Sequence, residues 1–507
     1  MKNKVVEMKI EDLGPNISSA LSDGRRLGML TARGRSIGNG SLTLISLIMD
    51  TRNAGWEIWE TDLPDNAKTV KSMTIRSPQV HRFERRIGDM FGLAFEGHPR
   101  PKSDVLHEYW PEGFYPLAPG APDPDNFEDA KRKRYDFQKV TGDDVYEIPV
   151  GPIHAGIIEP GHFRFSCLGE VIQNLEIRLG YQHRGIERRL SEIDWRKARF
   201  LAETISSDTC VGNACAHALA IENLLGVAAP PLAAKCRAMA MEIERIASHI
   251  GDFGGICADI GFSGGNALFS RLRGQTLGLG EMLTGARFMT SYVLPGGVKR
   301  APPQQICERL TKEIETLEQN IVGAIPALLD NSGALARMEN VGRVRQSTAR
   351  DFGLVGPAGR ASGIDYDVRR DFRQEPYSEL NWNSAKGEGG DVYSRVKIRA
   401  DEIRASLAIL RDLAGIVKEL NADRENLVLE LPESLPSQQY GVGIVESWRG
   451  ELIHLVYTSE NGISRYAIKD PSFNNWTGLA IAVRGQLVAD FPLCNKSFNL
   501  SYSGNDL

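Results

Sequence analysis

The sequence predicts an α+β protein, with a small mixed α/β unit at the N-terminus and a large, mainly helical unit that carries peripheral strands. The chain has 507 residues, more than one hydrophobic core usually serves. Apolar residues recur at helical spacing through much of residues 232–420, whereas about the last hundred residues alternate as strands do. These observations favour two or more domains of different composition.

The first predicted domain spans residues 1–117. Residues 43–49 and 56–59 have strand-like composition, and residues 83–92 are typical of a helix that ends at a glycine. Residues 118–149 are rich in Pro, Asp, Lys and Arg, a composition that cannot bury a core. We therefore expect this stretch to be an extended linker or a strap on the surface.

The second predicted domain spans residues 150–507. Apolar residues at helical spacing predict helices within residues 232–250, 268–288, 307–321 and 392–420. Alternating apolar residues predict strands within residues 440–446 and 452–457. This domain is therefore expected to be mainly helical, with strands near its end.

The composition is that of a folded protein without a charge pattern for nucleic acid. Hydrophobic residues make up 42%, charged residues 25%, and the net charge is -5. The seven cysteines are odd in number and scattered, which favours reduced thiols and a cytoplasmic location. We identify no signal peptide and no apolar run long enough to cross a membrane, so any membrane association is expected to go through other subunits.

Chemically active residue types concentrate between residues 151 and 226. His154 follows a Gly-Pro-Ile run, His183 and Arg184 follow a Tyr-Gln pair, and Cys210 follows an Asp-Thr pair. Few structural needs call for histidine, arginine, aspartate and cysteine so close together. The stretch therefore predicts a functional site.

The spacing of the cysteines in this stretch does not predict a metal-binding site. Cys210 and Cys215 are separated as C-x4-C, not as the C-x2-C that holds one ion from a turn. Burial as a small hydrophobic residue is the favoured interpretation of Cys215. The sequence also contains no glycine-rich phosphate loop of a standard kind.

Several separate motifs carry a family resemblance. Residues 151–165, the His-Arg-Gly-Ile-Glu run at 183–187, and the stretches 361–363 and 366–369 resemble the large subunit of membrane-bound, energy-converting nickel-iron hydrogenases such as formate hydrogenlyase, and the related 49 kDa protein of respiratory complex I. Residues 83–117 are similar to the 30 kDa protein of complex I. The resemblance implies a 30 kDa-like domain fused to a 49 kDa-like domain.

The hydrogenase resemblance implies four thiolate ligands for nickel and iron, and this sequence departs from that set. Counting back from His217 places the first pair of ligands on Cys210 and Asn213. The second pair falls on Ser501 and Gly504. One sulfur, an amide, a hydroxyl and a bare backbone do not suit a thiolate-bridged metal pair. We therefore expect no metal and no other cofactor to be bound by this chain.

The complex I resemblance implies a quinone cavity. It places His154 on a cavity histidine and Asp259 on the aspartate that pairs with it, while Ser207 stands where that family has a quinone-binding tyrosine, beside Asp208. A histidine in contact with a carboxylate can act as a proton relay. We predict His154 and Asp259 as the proton-handling pair, with Ser207 and Asp208 in the same cavity.

Structural interpretations of the same residues remain open. His154 is equally compatible with capping a turn, and Asp259 with satisfying backbone donors or pairing with Arg184. Arg184 is itself expected to form an ion pair with Glu187. Arg360 is expected to be a buried partner for a carboxylate.

The resemblance implies a peripheral subunit of a membrane-bound respiratory oxidoreductase complex, on the cytoplasmic side of the membrane. It is expected to dock on a small iron-sulfur subunit like that of complex I, which carries the iron-sulfur cluster, and through it on antiporter-type membrane subunits. The cavity would then serve electron transfer to a quinone or coupling to the membrane arm. The alternatives are a non-catalytic scaffold and a hydrogenase with atypical ligands.

Overall fold

A computed structural model describes residues 4–35, 41–122, 135–155, 158–422 and 427–507. It contains helices and several sheets, with a small mixed unit first and a mainly helical unit after it. The predicted α+β class is therefore confirmed.

The first unit is built on a four-stranded sheet. Its elements are β1 (Lys4–Glu7), α1 (Ile10–Ser22), β2 (Arg26–Gly34), β3 (Leu42–Asp50), β4 (Gly55–Asp62), β5 (Thr69–Lys71), α2 (His81–Phe91) and β6 (Ala94–Glu96). The sheet has the order β1-β4-β3-β2; its β1-β4 pair is parallel, and its β4-β3 and β3-β2 pairs are antiparallel. Both predicted strands and the predicted helix are confirmed, and α2 ends at Gly92, whose φ of 74° is left-handed.

The sheet that follows begins inside the predicted strap. It consists of β7 (Val145–Val150), β8 (His162–Leu168) and β9 (Val171–Arg178), all antiparallel. β7 is fixed by antiparallel pairing with β8, and its β-branched and aromatic residues are compatible with a pleated strand. The middle of the predicted strap, residues 123–134, lies outside the described residues.

The central unit is a set of packed helices. Its elements are α3 (Ile186–Glu192), α4 (Ala198–Ala202), α5 (Cys210–Leu225), α6 (Pro231–Asp259), α7 (Ser263–Thr284), β10 (Val293–Leu294), β11 (Gly297–Val298), α8 (Gln304–Ala324), α9 (Pro326–Leu329), α10 (Ser332–Met338), α11 (Gln346–Asp351), α12 (Gly356–Ala361), α13 (Val368–Asp371) and α14 (Val392–Ala422). The four predicted helices are confirmed as α6, α7, α8 and α14. α6 packs against both α7 and α14, which places these long helices at the centre of the main core.

The chain ends in a three-stranded antiparallel sheet and two helices. These are β12 (Tyr440–Ser447), β13 (Gly450–Ser459), β14 (Gly462–Lys469), α15 (Ser472–Ala482) and α16 (Phe491–Phe498). β12 lies directly on α5. The approach is so close that a Cβ atom at Gly443 would stand 1.9 Å from the carbonyl oxygen of Ala216. Glycine at this position therefore lets the sheet approach the helix that begins at Cys210.

The two predicted domains share a hydrophobic core. One cluster of buried side chains contains β3 and β4 residues such as Leu47 and Ile58 together with Ile453 and Leu455 from β13. Across the same interface, Arg465 donates to polar groups of β2, with distances of 2.8 and 3.0 Å. The packing of the first unit therefore depends on strands near the end of the chain.

The cysteines and the long helices bear on two sequence expectations. All seven cysteines are buried free thiols, so the expectation of reduced cysteines is confirmed. Among the described residues, no helix has both the length and the apolar character that crossing a membrane requires.

Candidate functional site

The positions implied as former metal ligands come together at the start of α5. Cys210 and Asn213 lie on its first turn, and Ser501 and Gly504 lie in the segment that follows α16. The hydroxyl oxygens of Ser206 and Ser501 are 3.0 Å apart and share a hydrogen bond. Ser501 of the second pair therefore contacts the segment that leads into α5, where the first pair lies.

Cys210 is a buried thiol beside a buried carboxyl group. Burial raises the pKa of Cys210 far above its usual value, and Glu244 adds to the rise. The Glu244 side chain accepts from the backbone N–H groups of Val211 and Gly212, at 2.7 and 3.0 Å. Burial raises the pKa of Glu244 to about 8, although these two N–H groups oppose the rise. The local environment therefore favours the protonated thiol over the thiolate.

Asn213 is the first member of a buried hydrogen-bonded chain. Its Nδ2 donates to the carbonyl oxygen of Thr209 at 2.9 Å, which leaves Oδ1 to accept from His454 Nε2 at 3.1 Å. His454 Nδ1 then accepts from the Tyr466 hydroxyl at 2.8 Å, and that oxygen accepts from His217 Nδ1 at 2.8 Å. Because a carbonyl can only accept, the Thr209 end fixes the direction of every bond in the chain.

Both histidines of this series of hydrogen bonds, His217 and His454, are neutral. Burial lowers the pKa of His217 to about 4 and that of His454 well below its usual value. Asn213, His217, His454 and Tyr466 are all fully buried. In this chain, the amide of Asn213 therefore completes a network of neutral groups.

Ser501 and Gly504 are also engaged within the protein. Ser501 Oγ accepts from the Gly504 backbone N–H at 2.8 Å, and the Ser501 N–H donates to Ser472 Oγ at 2.9 Å. A Cβ atom at Gly504 would stand 2.5 Å from Asp470 Oδ2 and 2.8 Å from Ser501 Oγ. The Asp470 carboxyl group thus occupies the space that a side chain at position 504 would need.

This donor set does not fit a nickel-iron centre. A soft metal pair needs several thiolates, whereas this site offers one protonated thiol, an amide, a hydroxyl and a glycine backbone. Within the described ranges, no group of three or more His, Cys, Asp or Glu side chains is placed to hold a metal ion. The oxygen atoms of Asn213 and Ser501 that a metal could bind already accept hydrogen bonds within the protein.

Arg449 holds the exposed edge of the site together. Its Nη1 and Nη2 donate to the two carboxylate oxygens of Asp208, each at 2.6 Å, and its Nε donates to the carbonyl oxygen of Asn499 at 2.6 Å. Partial desolvation would raise the pKa of Asp208, but Arg449 outweighs it and lowers this pKa to about 2. Asp208 is therefore ionised and fixed, and the exposed Ser207 lies beside it.

His154 lies in a loop with an apolar, exposed face. Its Nε2 donates to the carbonyl oxygen of Gly161 at 2.8 Å, and its ring lies 5.8 Å from that of Phe163. A Cβ atom at Gly151 would stand 2.2 Å from the same Gly161 oxygen, so this turn requires glycine. Ile153, next to His154, is 85% exposed.

Asp259 does not contact His154 in this chain. It is the last residue of α6 and is exposed, and no hydrogen bond or ion pair between the two is present among the described residues. His154 is instead held by the Gly161 carbonyl. The expected contact is therefore not formed, and the proton-handling role of the pair stays a prediction.

The residues around His183 differ in part from expectation. His183 Nδ1 lies 3.3 Å from the carbonyl oxygen of Asp506, and Arg184 donates to the carbonyl oxygen of Ile205 at 2.9 Å. The expected Arg184–Glu187 ion pair is wrong. Glu187 pairs instead with Arg465 of β14 at 2.9 Å, because β14 packs directly against α3.

Arg360 is a buried partner for carboxylates, as predicted. It donates to Glu402 and to Glu446, with shortest distances of 2.7 Å to each. These residues belong to a core cluster that joins α6, α12, α13, α14 and β12. The cluster contains Arg245, Arg360, Arg369 and His249 with Glu242, Asp367, Glu402 and Glu446. Four carboxylates face three guanidinium groups, so the cluster is one positive charge short when every carboxylate is ionised.

The residues that the last sheet contributes to the site were not found from the sequence. Arg449, His454 and Asp470 lie on or beside the strands of the last sheet, far along the chain from α5. The signals were a histidine in the apolar run of β13 and an aspartate directly before a proline. Neither signal indicates which residue is the hydrogen-bond partner, because the partner depends on how this sheet packs on α5.

Family comparisons agree with this architecture. The family model described as Respiratory-chain NADH dehydrogenase, 30 Kd subunit matches residues 23–122, and the one described as Respiratory-chain NADH dehydrogenase, 49 Kd subunit matches residues 259–506. Formate hydrogenlyase subunit 5 of Escherichia coli (strain K12) is 31% identical over 475 residues, covering 91% of this chain and 81% of the relative.

Two further relatives have a similar extent. Hydrogenase-4 component G of Escherichia coli (strain K12) is 29% identical over 468 residues, covering 91% of this chain and 80% of the relative. The NADH-quinone oxidoreductase C/D protein of Sulfurihydrogenibium sp. (strain YO3AOP1) is 26% identical over 454 residues, covering 80% and 78%. The chain belongs to the family in which a 30 Kd-type domain and a 49 Kd-type domain of the respiratory-chain NADH dehydrogenase are fused.

Proposed function

We propose that this chain is a subunit of a membrane-bound respiratory oxidoreductase complex and works there without a nickel-iron centre. Its site would serve electron transfer to a quinone or a similar acceptor, or coupling to the membrane arm. The observation that carries the proposal is the engagement of the former ligand positions by the protein itself. Asn213 and Ser501 are hydrogen-bonded, and Asp470 occupies the space beside Gly504.

The proposed partners follow from the family and from the exposed surface. The relatives are named as parts of hydrogenlyase, hydrogenase and NADH-quinone oxidoreductase. A small iron-sulfur subunit, which carries the cluster, would dock over the His154 loop, where Ile153 is 85% and Ile158 36% exposed. This partner would link the chain to antiporter-type membrane subunits, with the chain peripheral on the cytoplasmic side.

His154 is the proposed proton-handling group of this site. Its Nε2 donates to Gly161, and in the part of the chain that the structure describes Nδ1 makes no hydrogen bond. This nitrogen can take up a proton and deliver it to the oxygen of a reduced acceptor. Asp259 would restore the proton if assembly of the complex brings the two groups together.

Substitutions in the purified complex test this proposal. Cys210→Ala removes the remaining thiol, and we expect quinone-analogue reduction to stay within about twofold of the unsubstituted complex. His154→Ala is expected to lower the same rate by at least about a hundredfold, the usual scale for loss of a proton-transfer group. Loss of activity in Cys210→Ala, together with hydrogen turnover in the unsubstituted complex, would instead indicate a hydrogenase with atypical ligands.

A non-catalytic scaffold is the second candidate. It is favoured by Ser207, which lacks a phenol at the implied quinone-binding position, and by the separation of His154 from Asp259. Under this alternative, His154→Ala and Asp259→Asn would leave both turnover and the composition of the complex unchanged. Turnover that falls while the complex stays intact would rule the scaffold out.

A further inference from the structure

A second candidate binding site lies at the seam between the first unit and the rest of the chain. A cavity of about 430 Å³ is bounded by α2, the segment 98–104, β9 and α15, and we call it the seam pocket. One wall is apolar and includes Ile75, Pro78, Phe352 and Ile481. Its volume falls in the range of small-molecule sites.

The lining of the seam pocket is also rich in arginine. Its arginines are Arg82, Arg85, Arg100, Arg178 and Arg484. Asp104 is the carboxylate among the described lining residues, and Arg82 and Arg86 already hold it at 2.9 Å. Of the four further arginines, Arg100 pairs with Glu176 at 2.7 Å and Arg178 with Glu108, two carboxylates outside the lining, which leaves Arg85 and Arg484 without a close carboxylate among the described side chains.

Two of these arginines are held mainly by neutral groups. Arg85 donates to the carbonyl oxygens of Lys102 and Ser103, at 2.6 and 2.7 Å, and its nearest carboxylate is 4.0 Å away. Arg484 donates to the amide oxygen of Asn174 at 3.1 Å, and it has no carboxylate partner within the described ranges. Both groups thus keep N–H donors and a positive charge for a ligand.

Arg178 supplies a buried donor that the protein leaves unsatisfied. Its guanidinium group lies 3.7 Å from the centre of the Tyr135 ring, and its Nη2 pairs with Glu108 at 2.5 Å. Its Nη1 is buried without a hydrogen-bond partner among the described residues. A buried, unpaired donor on a charged group is costly, so a small movement of this side chain that brings Nη1 to an acceptor in the cavity would be favourable.

We propose that the seam pocket binds a phosphate monoester attached to an apolar or aromatic body. Guanidinium groups match the oxygens of phosphate in charge and in planar geometry, and here several line one cavity. The apolar wall fits the remainder of the ligand. A soluble nucleotide and the headgroup of an anionic lipid share this chemistry.

Titration of the full-length protein tests the proposal. We expect saturable binding of adenosine 5′-monophosphate by calorimetry and none of adenosine, which lacks the phosphate. Arg484→Gln and Arg85→Gln are each expected to weaken binding about tenfold, the effect of one charge-assisted hydrogen bond. Arg309→Gln on α8 is the matched control, because Arg309 is 65% exposed and does not line the cavity, and it should not change the affinity.

Vesicles separate the two sources of phosphate. Binding to phosphatidic acid vesicles but not to phosphatidylcholine vesicles, lost in Arg484→Gln and Arg85→Gln, would support the proposal with a lipid as ligand. The proposal is overturned if neither the nucleotide nor the lipid binds saturably, or if binding is equal in both variants and the unsubstituted protein. Circular dichroism confirms that the variants fold. None of these measurements depends on hydrogen or quinone turnover.

Discussion

Asn213 shows how one residue can replace a metal ligand without leaving a buried polar group unpaired. Its amide has both a donor and an acceptor, so it can bond Thr209 on one side and His454 on the other. A thiol at the same position would give His454 only a weak acceptor. The amide therefore satisfies the buried polar groups on both sides of it without a metal ion.

Gly504 and Asp470 form a second replacement at the residue scale, and their close approach gives a prediction. Gly504→Ala should reduce the free energy of unfolding by about 1–3 kcal/mol, because the new methyl group meets the Asp470 carboxyl group. In an Asp470→Ala background the same substitution should cost less, and the remaining cost should reflect the 2.8 Å approach of the methyl group to Ser501 Oγ. Chemical denaturation of the four proteins measures this coupling.

A glycine in open space is the control for this prediction. A Cβ atom at Gly274, within α7, would meet no atom within 4 Å. Gly274→Ala should raise the free energy of unfolding by up to about 1 kcal/mol through helix propensity. Equal costs of Gly504→Ala in both backgrounds would show that Asp470 does not restrict position 504.

The residue scale also shows how far the sequence could lead. Counting from His217 found Cys210 and Asn213, and the end of the chain supplied Ser501 and Gly504. The partners that α5 finds in the last sheet, His454 and Tyr466, could not be found in this way, because they lie more than two hundred residues further along the chain. The contact between His154 and Asp259 was expected from the resemblance, and the packing of this chain does not form it.

At the scale of elements, the core charge cluster between α6 and α14 gives a pH-dependent stability. Burial, opposed by Arg360 and supported by Asp367, raises the pKa of Glu446 to about 7. An unfolded glutamate has a pKa of about 4.3. Between these values the folded protein holds a proton that the unfolded chain has lost. The contribution of Glu446 to stability is therefore complete below about pH 4.3 and is lost as the pH rises to about 7.

Glu446→Gln should remove this part of the pH dependence. A glutamine cannot lose the proton, so the free energy of unfolding should fall less steeply with pH, by at most about 1.4 kcal/mol per pH unit. Urea denaturation at several pH values across this range gives the free energy of unfolding at each pH. A fixed cost of the substitution shifts all of these values equally, so the slope of the free energy of unfolding against pH is the quantity to compare. Glu313→Gln, at a half-exposed position on α8, should leave the slope unchanged. Identical slopes for all three proteins would contradict the assignment to Glu446.

The elements themselves were largely predictable from periodicity. α6, α7, α8 and α14 follow from apolar spacing, and β12 and β13 from alternation. The start of β7 inside the predicted strap could not be read in the same way, because the strand depends on pairing with β8. Composition alone carries no information about such a partner.

At the scale of the whole molecule, the shared core predicts that the first unit and the last sheet unfold together. Leu455→Ala on β13 should cost about 2–5 kcal/mol, because Leu455 is fully buried in that core. Hydrogen exchange should then show equal loss of protection in β3 and in β13. Val322→Ala, at a side chain that is 41% exposed, should cost less than about 0.5 kcal/mol. Loss of protection in β13 alone would show that the two units are independent.

The fused architecture also places the chain's proposed function at the level of an assembly. The site at the start of α5 is closed by internal hydrogen bonds, whereas the His154 loop exposes the apolar side chains of Ile153 and Ile158. Under the proposed function, the chain contributes an acceptor site or a coupling surface, and the metal chemistry of the complex lies in other subunits.

Nickel content of the purified complex tests the central claim most directly. The complex would be isolated without oxygen from cells grown with added nickel, and nickel and iron would be measured by elemental analysis against the amount of this chain. The account predicts nickel far below one atom per chain, together with iron that comes only from the iron-sulfur partner. Stoichiometric nickel that disappears in Cys210→Ala would contradict it.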